Sequence, residues 1–226
     1  MGQEQRVCAI HQPNLFPRWR TLTKLLAADV WIVLDDVQFC RRDYQHRARL
    51  GDGLSPDHWQ WLTLPVHLDD GRSTLIRDVR IAEQATAHRR VVGLTRQHYR
   101  RTRRWNRISG IVDNVATAVG ETDNLATVAE RSTTDMLRAC GWVGRVLHAS
   151  DLGRRSYIRT DRSARLVDLA LAAGCTRYLC GRGGRRYLDT RPFVAAGIDV
   201  APAPDCQDAA YPSGFENVSA LAYLSH

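Results

Sequence analysis

Six polar side chains follow two apolar runs near the start of the chain. The run Val7–Ile10 leads to His11, and the run Val30–Leu34 leads to Asp35. The full set is His11, Gln12, Asn14, Asp35, Asp36 and Gln38. Histidine suits proton abstraction near neutral pH, and a carboxylate can fix the tautomer of its ring. We therefore predict that His11 is a general base and that Asp35 or Asp36 orients it.

The same histidine and aspartates have the donor types of a divalent-metal site. Adjacent residues of an extended chain point to opposite faces, so Asp35 and Asp36 do not both face the same crevice. Their spacing to His11 follows no known metal-binding pattern. We predict an orienting role for these carboxylates and no metal site, and the sequence identifies no cofactor.

A second polar segment follows the second apolar run and comprises Arg42, Asp43, Gln45 and Arg47. If the segment is extended, Asp43, Gln45 and Arg47 share one face. A planar guanidinium can hold a carboxylate or a phosphate through two parallel hydrogen bonds. We predict that these four residues bind substrate, the alternative being an edge strand protected by its charges.

Lys24 is the single lysine among 32 basic residues. In a chain that otherwise uses arginine, a lysine is expected where arginine does not fit. Lys24 falls on the helix predicted after the first strand, from which its ammonium could reach substrate. The alternative is an ordinary solvated position on that helix.

A glycine- and arginine-rich segment follows a later apolar run. Glycines allow positive φ and close backbone approach, while exposed N–H groups and arginines favour anions. The spacing matches neither a Walker loop nor a dinucleotide fingerprint. We predict phosphate or carboxylate binding, with a tight basic turn as the alternative, for Gly181, Arg182, Gly183, Gly184, Arg186 and Tyr187.

Hydrophobic periodicity shows which elements carry these residues. Strands are predicted at 6–12, 30–35, 76–81, 145–149, 175–180 and 198–201, with further extended segments at 42–50 and 59–66. Helices are predicted at 19–28, 83–103, 105–119, 122–140 and 161–173. This order predicts an α/β fold, with a small parallel or mixed sheet and flanking helices. We expect a single α/β domain over residues 1–226 with a helical insertion at about 83–140.

Composition limits the kinds of partner. The net charge is +8, but 31 of the 32 basic residues are arginine, a ratio typical of a GC-rich genome. The basic run Tyr99–Arg107 is predicted to be a solvated helix face, so nucleic acid is an unlikely partner. No apolar stretch reaches the roughly 18 to 20 residues of a membrane helix. We expect a cytoplasmic protein with a small anionic or polar substrate, for which a nucleotide-linked compound is one option, and the sequence does not indicate its oligomeric state.

The residues at these strand ends resemble the WbqC-like protein family. The matching segments keep the family's order over nearly the whole chain: Ile10–Asn14, Pro17, Lys24–Val30, Leu34–Phe39, Arg42–Gln45, Arg47, Trp61–Val66, Tyr178, Gly181–Asp189, Phe193, Gly197–Ile198, Tyr211–Pro212 and Phe215. The resemblance implies a bacterial enzyme of surface-polysaccharide or specialised-metabolite (antibiotic) biosynthesis, often one handling modified amino sugars. Where the family often has an aromatic–glycine pair, this chain has Arg18-Trp-Arg20, so the mouth of the site is more cationic.

These observations together predict a biosynthetic transferase or ligase that modifies an amino group. Its substrate would be an amino sugar or an amino-acid-derived metabolite. Two alternatives stay open. One is an ATP-dependent, adenylate-forming enzyme resembling nucleotidylyltransferases, although the paired His-x-Gly-His motif is missing. The other is a non-catalytic protein that binds RNA or another anion.

Overall fold

The structure, a computed structural model, describes residues 5–51, 58–152, 161–206 and 215–225. The matching pair Tyr211–Pro212 lies outside the described residues. The strands are β1 (Val7–His11), β2 (Val30–Val33), β3 (Arg47–Gly51), β4 (Trp59–Thr63), β5 (Val66–His67), β6 (Arg80–Ile81), β7 (Arg145–His148), β8 (Arg177–Cys180) and β9 (Asp199–Pro202). The helices are α1 (Trp19–Leu26), α2 (Gln84–Tyr99), α3 (Trp105–Glu121), α4 (Leu125–Ala139), α5 (Ala149–Leu152), α6 (Arg162–Ala172), α7 (Arg182–Arg185), α8 (Arg191–Ala195) and α9 (Leu221–Ser225).

Five parallel strands of the described residues form one sheet in the order β7-β2-β1-β8-β9. The central strand β1 pairs with β2, Cys8 lying opposite Val30, and with β8, where Cys8 lies opposite Tyr178. The predicted α/β fold is therefore confirmed, and its sheet is parallel.

The sheet forms because its inner strands are apolar on both faces. All four residues of β2 are buried, as are the three central residues of β1. Continuous runs rich in Val and Ile are typical of parallel strands covered on both sides. α6 contributes Val167, Leu169 and Ala170 to the same core, and α8 contributes Phe193.

The predicted helical region contains three helices whose ends have recognisable signals. Asn124 caps α4, because its side chain accepts the backbone N–H of Thr127 at 2.9 Å. Gly141, at φ +81°, follows the last turn of α4 in the left-handed conformation that glycine adopts most easily. The helices α3 and α4 thus begin and end within a few residues of the predicted boundaries, as expected for long amphipathic segments, whereas α2 ends at Tyr99, four residues before its predicted end.

Residues 42–46 are not extended, so the prediction of one strand over 42–50 was wrong in its first half. The strand β3 begins at Arg47, after bends and turns at 41–46. Within that turn, the N–H of Asp43 donates to Cys40 O at 3.0 Å, and the N–H of Tyr44 donates to Asp43 Oδ1 at 2.8 Å. Such local bonds compete with strand pairing. The predicted strand at 76–81 is similarly reduced to β6, because Ile76–Asp78 forms a 3₁₀ turn.

The chain divides into two compact units. The sheet unit comprises Met1–Gln12, Thr23–Asp35 and Trp142–Asp205, and the hairpin–helix unit comprises Pro13–Leu22, Asp36–Gly141 and Cys206–His226. The helices α2 to α4 belong to the second unit, together with the antiparallel pair β3–β4. The expectation of one domain with a helical insertion stays a prediction. No helix within the described ranges is long and apolar enough to cross a membrane.

Candidate active site

The sheet unit has a switch point in its topology between β1 and β8. From β1 the chain proceeds to β2 and later β7 on one side, whereas β8 and β9 lie on the other side. Open parallel sheets bind ligands outside the carboxyl ends of strands at such a point. Cys8 of β1 lies opposite Tyr178 of β8. His11 and Gly181 each follow three residues after these paired residues. The predicted base His11 and the predicted anion-binding segment that begins at Gly181 therefore lie at the carboxyl ends of neighbouring strands.

His11 ends β1 and is half-buried. Its ring Nδ1 lies 2.8 Å from the carbonyl oxygen of Gln12. A carbonyl only accepts, so this contact favours the tautomer with a proton on Nδ1, which leaves Nε2 as the basic atom. The backbone at this point is also fixed, because His11 O accepts from Leu34 N at 2.9 Å and from Trp31 Nε1 at 3.1 Å.

Asp35 lies at the end of β2 and is 6% exposed. Its Oδ1 accepts the backbone N–H of Ser150 at 3.0 Å, and its Oδ2 accepts the Ser150 hydroxyl at 2.6 Å. Ser150 belongs to α5, which follows β7 directly. Asp35 thus joins the carboxyl ends of β2 and β7. The predicted site residues did not include Ser150. Its position just after the apolar strand β7 was the signal in the sequence that could have identified it.

The Asp35–Ser150 pair should show measurable coupling. Asp35→Ala leaves two partly buried donors of Ser150 without their acceptor, so we expect it to lower the free energy of unfolding by about 1 kcal/mol. In a double-mutant cycle with Ser150→Ala, urea unfolding should give a coupling of about 1 kcal/mol or more. Additive effects of the two substitutions would show that this contact does not hold the strand ends together.

Lys24 lies on α1 and is only 6% exposed. Its Nζ donates to Ile10 O at 2.9 Å, and a β-carbon placed on Gly181 would be 3.7 Å from its Cδ. Burial lowers the pKa of Lys24 to about 8, against smaller opposing effects of the Cys180 and Cys8 thiols. The structure therefore brings a buried amine to the ends of both β1 and β8.

The glycine–arginine segment differs from the loop that was expected. Arg182–Arg185 forms one helical turn, and none of Gly181, Gly183 and Gly184 has positive φ. The expected left-handed glycines are therefore absent, because a helical turn satisfies this backbone locally. Arg182 pairs with Asp205 at 3.0 Å, while Gly183, Gly184, Arg186 and Tyr187 are exposed.

Sequence reasoning also left out Arg185. A cavity of about 230 Å³ lies beside α7, and Arg185 lines it together with Cys180 and Thr190. Cys180 is the last residue of β8, and Pro202 at the end of β9 lines the same cavity. This cavity is thus another feature of the carboxyl edge of the sheet. The sequence did contain a signal for Arg185, because this arginine lies within the predicted anion-binding segment 181–187.

The remaining predicted site residues belong to the hairpin–helix unit. Asn14 is buried, and its carbonyl oxygen accepts from Ser132 Oγ at 3.1 Å and Thr133 Oγ1 at 2.9 Å. Gln38 is exposed and donates to Arg72 O at 2.6 Å, while Asp36 is half-buried. A ligand-binding role for each of these residues stays a prediction.

The segment from Arg42 to Arg47 is a turn closed by its own arginine. Arg47 donates from Nε to Asp43 O at 3.1 Å and from Nη2 to Arg42 O. Arg42 is exposed, whereas Gln45 is fully buried. Because the turn replaces the expected strand, Asp43, Gln45 and Arg47 do not form the regular row that period two predicts. Their contacts with substrate stay predictions.

Potential metal ligands are dispersed in the part of the chain that the structure describes. Within that part, no three His, Cys, Asp or Glu side chains group closely enough to hold a metal ion.

Comparison with known proteins agrees with the resemblance noted in the sequence. The chain is 28% identical over 197 residues to Rv1507c, an uncharacterized protein of Mycobacterium tuberculosis (strain ATCC 25618 / H37Rv). The match covers 85% of this chain and 79% of that protein. No solved structure matches the chain. The sequence profile of the WbqC-like protein family matches residues 12–221, a range that includes most of the strand-end residues described above, and the chain therefore belongs to the WbqC-like protein family.

Proposed function

We propose that the protein is a biosynthetic transferase or ligase that modifies an amino group. The substrate would be an amino sugar or an amino-acid-derived metabolite of polysaccharide or specialised-metabolite (antibiotic) biosynthesis. The observation that carries the proposal is the position of His11 at the switch point of the sheet. Its Nδ1 faces the Gln12 carbonyl, which favours the tautomer in which Nε2 carries no proton and can act as a base.

In the proposed reaction, Nε2 of His11 removes a proton from the substrate's ammonium group. The freed amine attacks the carbonyl carbon of an activated acyl donor. As the new C–N bond forms, the bond between the carbonyl carbon and the donor's leaving group breaks, and the second proton of the attacking nitrogen passes to that leaving group. Such a base contributes roughly 10² to 10⁴ in rate, and correct positioning of the two reactants contributes more.

Charged groups that lie beside or follow β1 and β8 support this chemistry. Lys24 supplies a positive charge at the ends of β1 and β8 below its lowered pKa of about 8, and the exposed Arg186 follows α7. Both suit the phosphate or carboxylate of a substrate. Asp35 acts by holding the strand ends through Ser150. These roles are proposed from placement and charge.

A second candidate is an ATP-dependent, adenylate-forming enzyme. Numbered along the chain, the strands of the sheet have the order 3-2-1-4-5, which begins the doubly wound order of nucleotide-binding folds. This is an analogy between folds, and it does not by itself assign a reaction.

Mass spectrometry distinguishes the two candidates. Purified protein is first analysed for small molecules that remain bound to it. It is then incubated with nucleotide-linked amino sugars and acyl donors, with and without ATP. The proposal expects a mass gain on sugars with a free amine and none on the N-acetylated controls. Pyrophosphate release from ATP without any gain on an amine would favour the second candidate.

A further inference from the structure

The pair β3–β4 exposes a face that alternates arginine with tryptophan. Arg49 lies opposite Trp61, and Gly51 lies opposite Trp59. Because side chains alternate along a strand, Arg47, Arg49, Trp59 and Trp61 share one face. On the other face, Ala48, Leu50 and Leu62 are buried.

The guanidinium groups lie over the aromatic rings at cation–π distance. We call six residues of the hairpin–helix unit the arginine–aromatic row: Arg18, Tyr44, Arg47, Arg49, Trp59 and Trp61. The Arg47 guanidinium is 4.2 Å from the Trp61 ring centre, and Arg49 is 4.5 Å from that of Trp59. Arg18 is 4.0 Å from the Tyr44 ring centre. The Trp61 ring centre is 5.4 Å from that of Trp59 and 5.7 Å from that of Tyr44.

The positive charge of this row has no carboxylate partner among the described residues. There, Arg18 and Arg49 make no side-chain hydrogen bond or ion pair, and the Nε atom of each is buried without an acceptor. Arg47 donates only to backbone carbonyls. By contrast, Arg20 of the same unit pairs with Glu216 at 2.6 Å.

The positive charge of these arginines also affects the pKa of a buried histidine, His46. Burial lowers the pKa of His46 to about 4, and the neighbouring Arg47 and Arg41 lower it further than Asp43 raises it. His46 is therefore neutral near pH 7. No carboxylate of the described ranges forms an ion pair with Arg18, Arg47 or Arg49, so an anion bound here would gain energy from several of them.

We propose that the arginine–aromatic row binds a nucleoside diphosphate. The outer plane of a guanidinium stacked on tryptophan is a surface for a base, and unpaired guanidinium groups hold phosphates. Trp61 also borders a groove of about 640 Å³ between β4 and α2, whose other walls include Gln60, Arg89 and Gln97. That volume is within the range of small-molecule sites.

The length of the row favours one nucleotide over a nucleic-acid strand. It contains three rings, and the two spacings between neighbouring rings are 5.4 and 5.7 Å. Domains that track single strands hold about 4 to 16 nucleotides. The row is too short for such a track.

Isothermal titration calorimetry with uridine and guanosine diphosphates tests this site without any turnover. We expect wild-type protein to bind at least one of the two, and Arg49→Gln to weaken that binding about tenfold or more. Trp59→Leu removes part of the stacking surface and should weaken the same binding about tenfold. Pyrophosphate, which has no base, should be affected by Arg49→Gln only.

Arg103→Gln is the matched control, because it removes the same charge from an exposed arginine of the same unit that makes no side-chain bond among the described residues. It should leave nucleotide binding unchanged.

Equal loss of nucleotide affinity in Arg103→Gln and Arg49→Gln would overturn the proposal, as would the absence of nucleotide binding at millimolar concentration. Tighter binding of a ten-residue oligouridine that all three substitutions weaken equally would assign the surface to RNA. If Arg49→Gln does not fold, Arg49→Lys keeps the charge, and unchanged affinity in that variant would also overturn the proposal. Because binding is measured directly, these outcomes do not depend on the reaction proposed for His11.

Discussion

Replacing His11 by asparagine is expected to lower turnover by about 10² to 10⁴ and to leave substrate affinity within roughly tenfold. Asparagine has an amide N–H that can replace the ring Nδ1 at the Gln12 carbonyl, so the end of β1 keeps its geometry. It has no counterpart of Nε2, so the proton acceptor is lost. Product formation is measured by mass spectrometry, and affinity by calorimetry.

His88→Asn is the control for this comparison. His88 is an exposed histidine of α2, and its substitution should leave turnover unchanged. If His11→Asn retains wild-type turnover while it folds normally, His11 is a structural residue. A loss of both turnover and affinity together with lowered stability would point to the same conclusion.

Replacing Lys24 by methionine is expected to remove a pH dependence of stability. The pKa of Lys24 is lowered from 10.5 to about 8 in the folded protein, mainly by burial. Below pH 8 the amine is protonated in both states, and the cost of burying its charge is constant. Between pH 8 and 10.5 the folded state loses this proton first, so the unfolded state binds more protons and stability rises with pH. The rise is about 3 kcal/mol.

Urea unfolding at several pH values between 7 and 10.5 measures this effect. Tyrosines and cysteines also titrate in this window, but they are present in both proteins, so the difference between wild type and Lys24→Met reports the lysine together with its interaction with Cys8 and Cys180. Wild-type stability should rise relative to the variant above pH 8 and not below it. A difference that stays constant over the whole range would mean that Lys24 keeps an ordinary pKa.

Local signals in the sequence predicted most of the elements. The apolar runs gave β1 and β2, and helical periodicity gave α2, α3 and α4, because both patterns repeat over neighbouring residues. The single lysine of the chain also indicated a special environment at its position. In the structure Lys24 is buried with its ammonium on Ile10 O, and a guanidinium is both larger and unable to lose its proton there.

Features that depend on side-chain contacts could not be predicted in this way. The turn at 41–46 is closed by bonds from Asp43 and Arg47 to the backbone, while the sequence pattern there also fits a strand. The role of Ser150 depends on β7 lying beside β2, a pairing that neither strand's own sequence specifies. The arginine–aromatic row depends on the register that places Arg49 opposite Trp61, which no single strand reveals.

The position of β1 at the centre of the sheet has a consequence for synthesis of the protein. Val7 pairs with Arg177, so the backbone groups on one edge of β1 cannot pair with β8 until almost the whole sheet unit has been synthesised. At ordinary rates of translation this delay is on the order of ten seconds. Throughout it, the apolar strands β1 and β2 can meet other nascent chains or a chaperone before they meet β8. We expect the yield of native protein to depend on growth temperature and chaperone supply more strongly than on the stability of the finished fold.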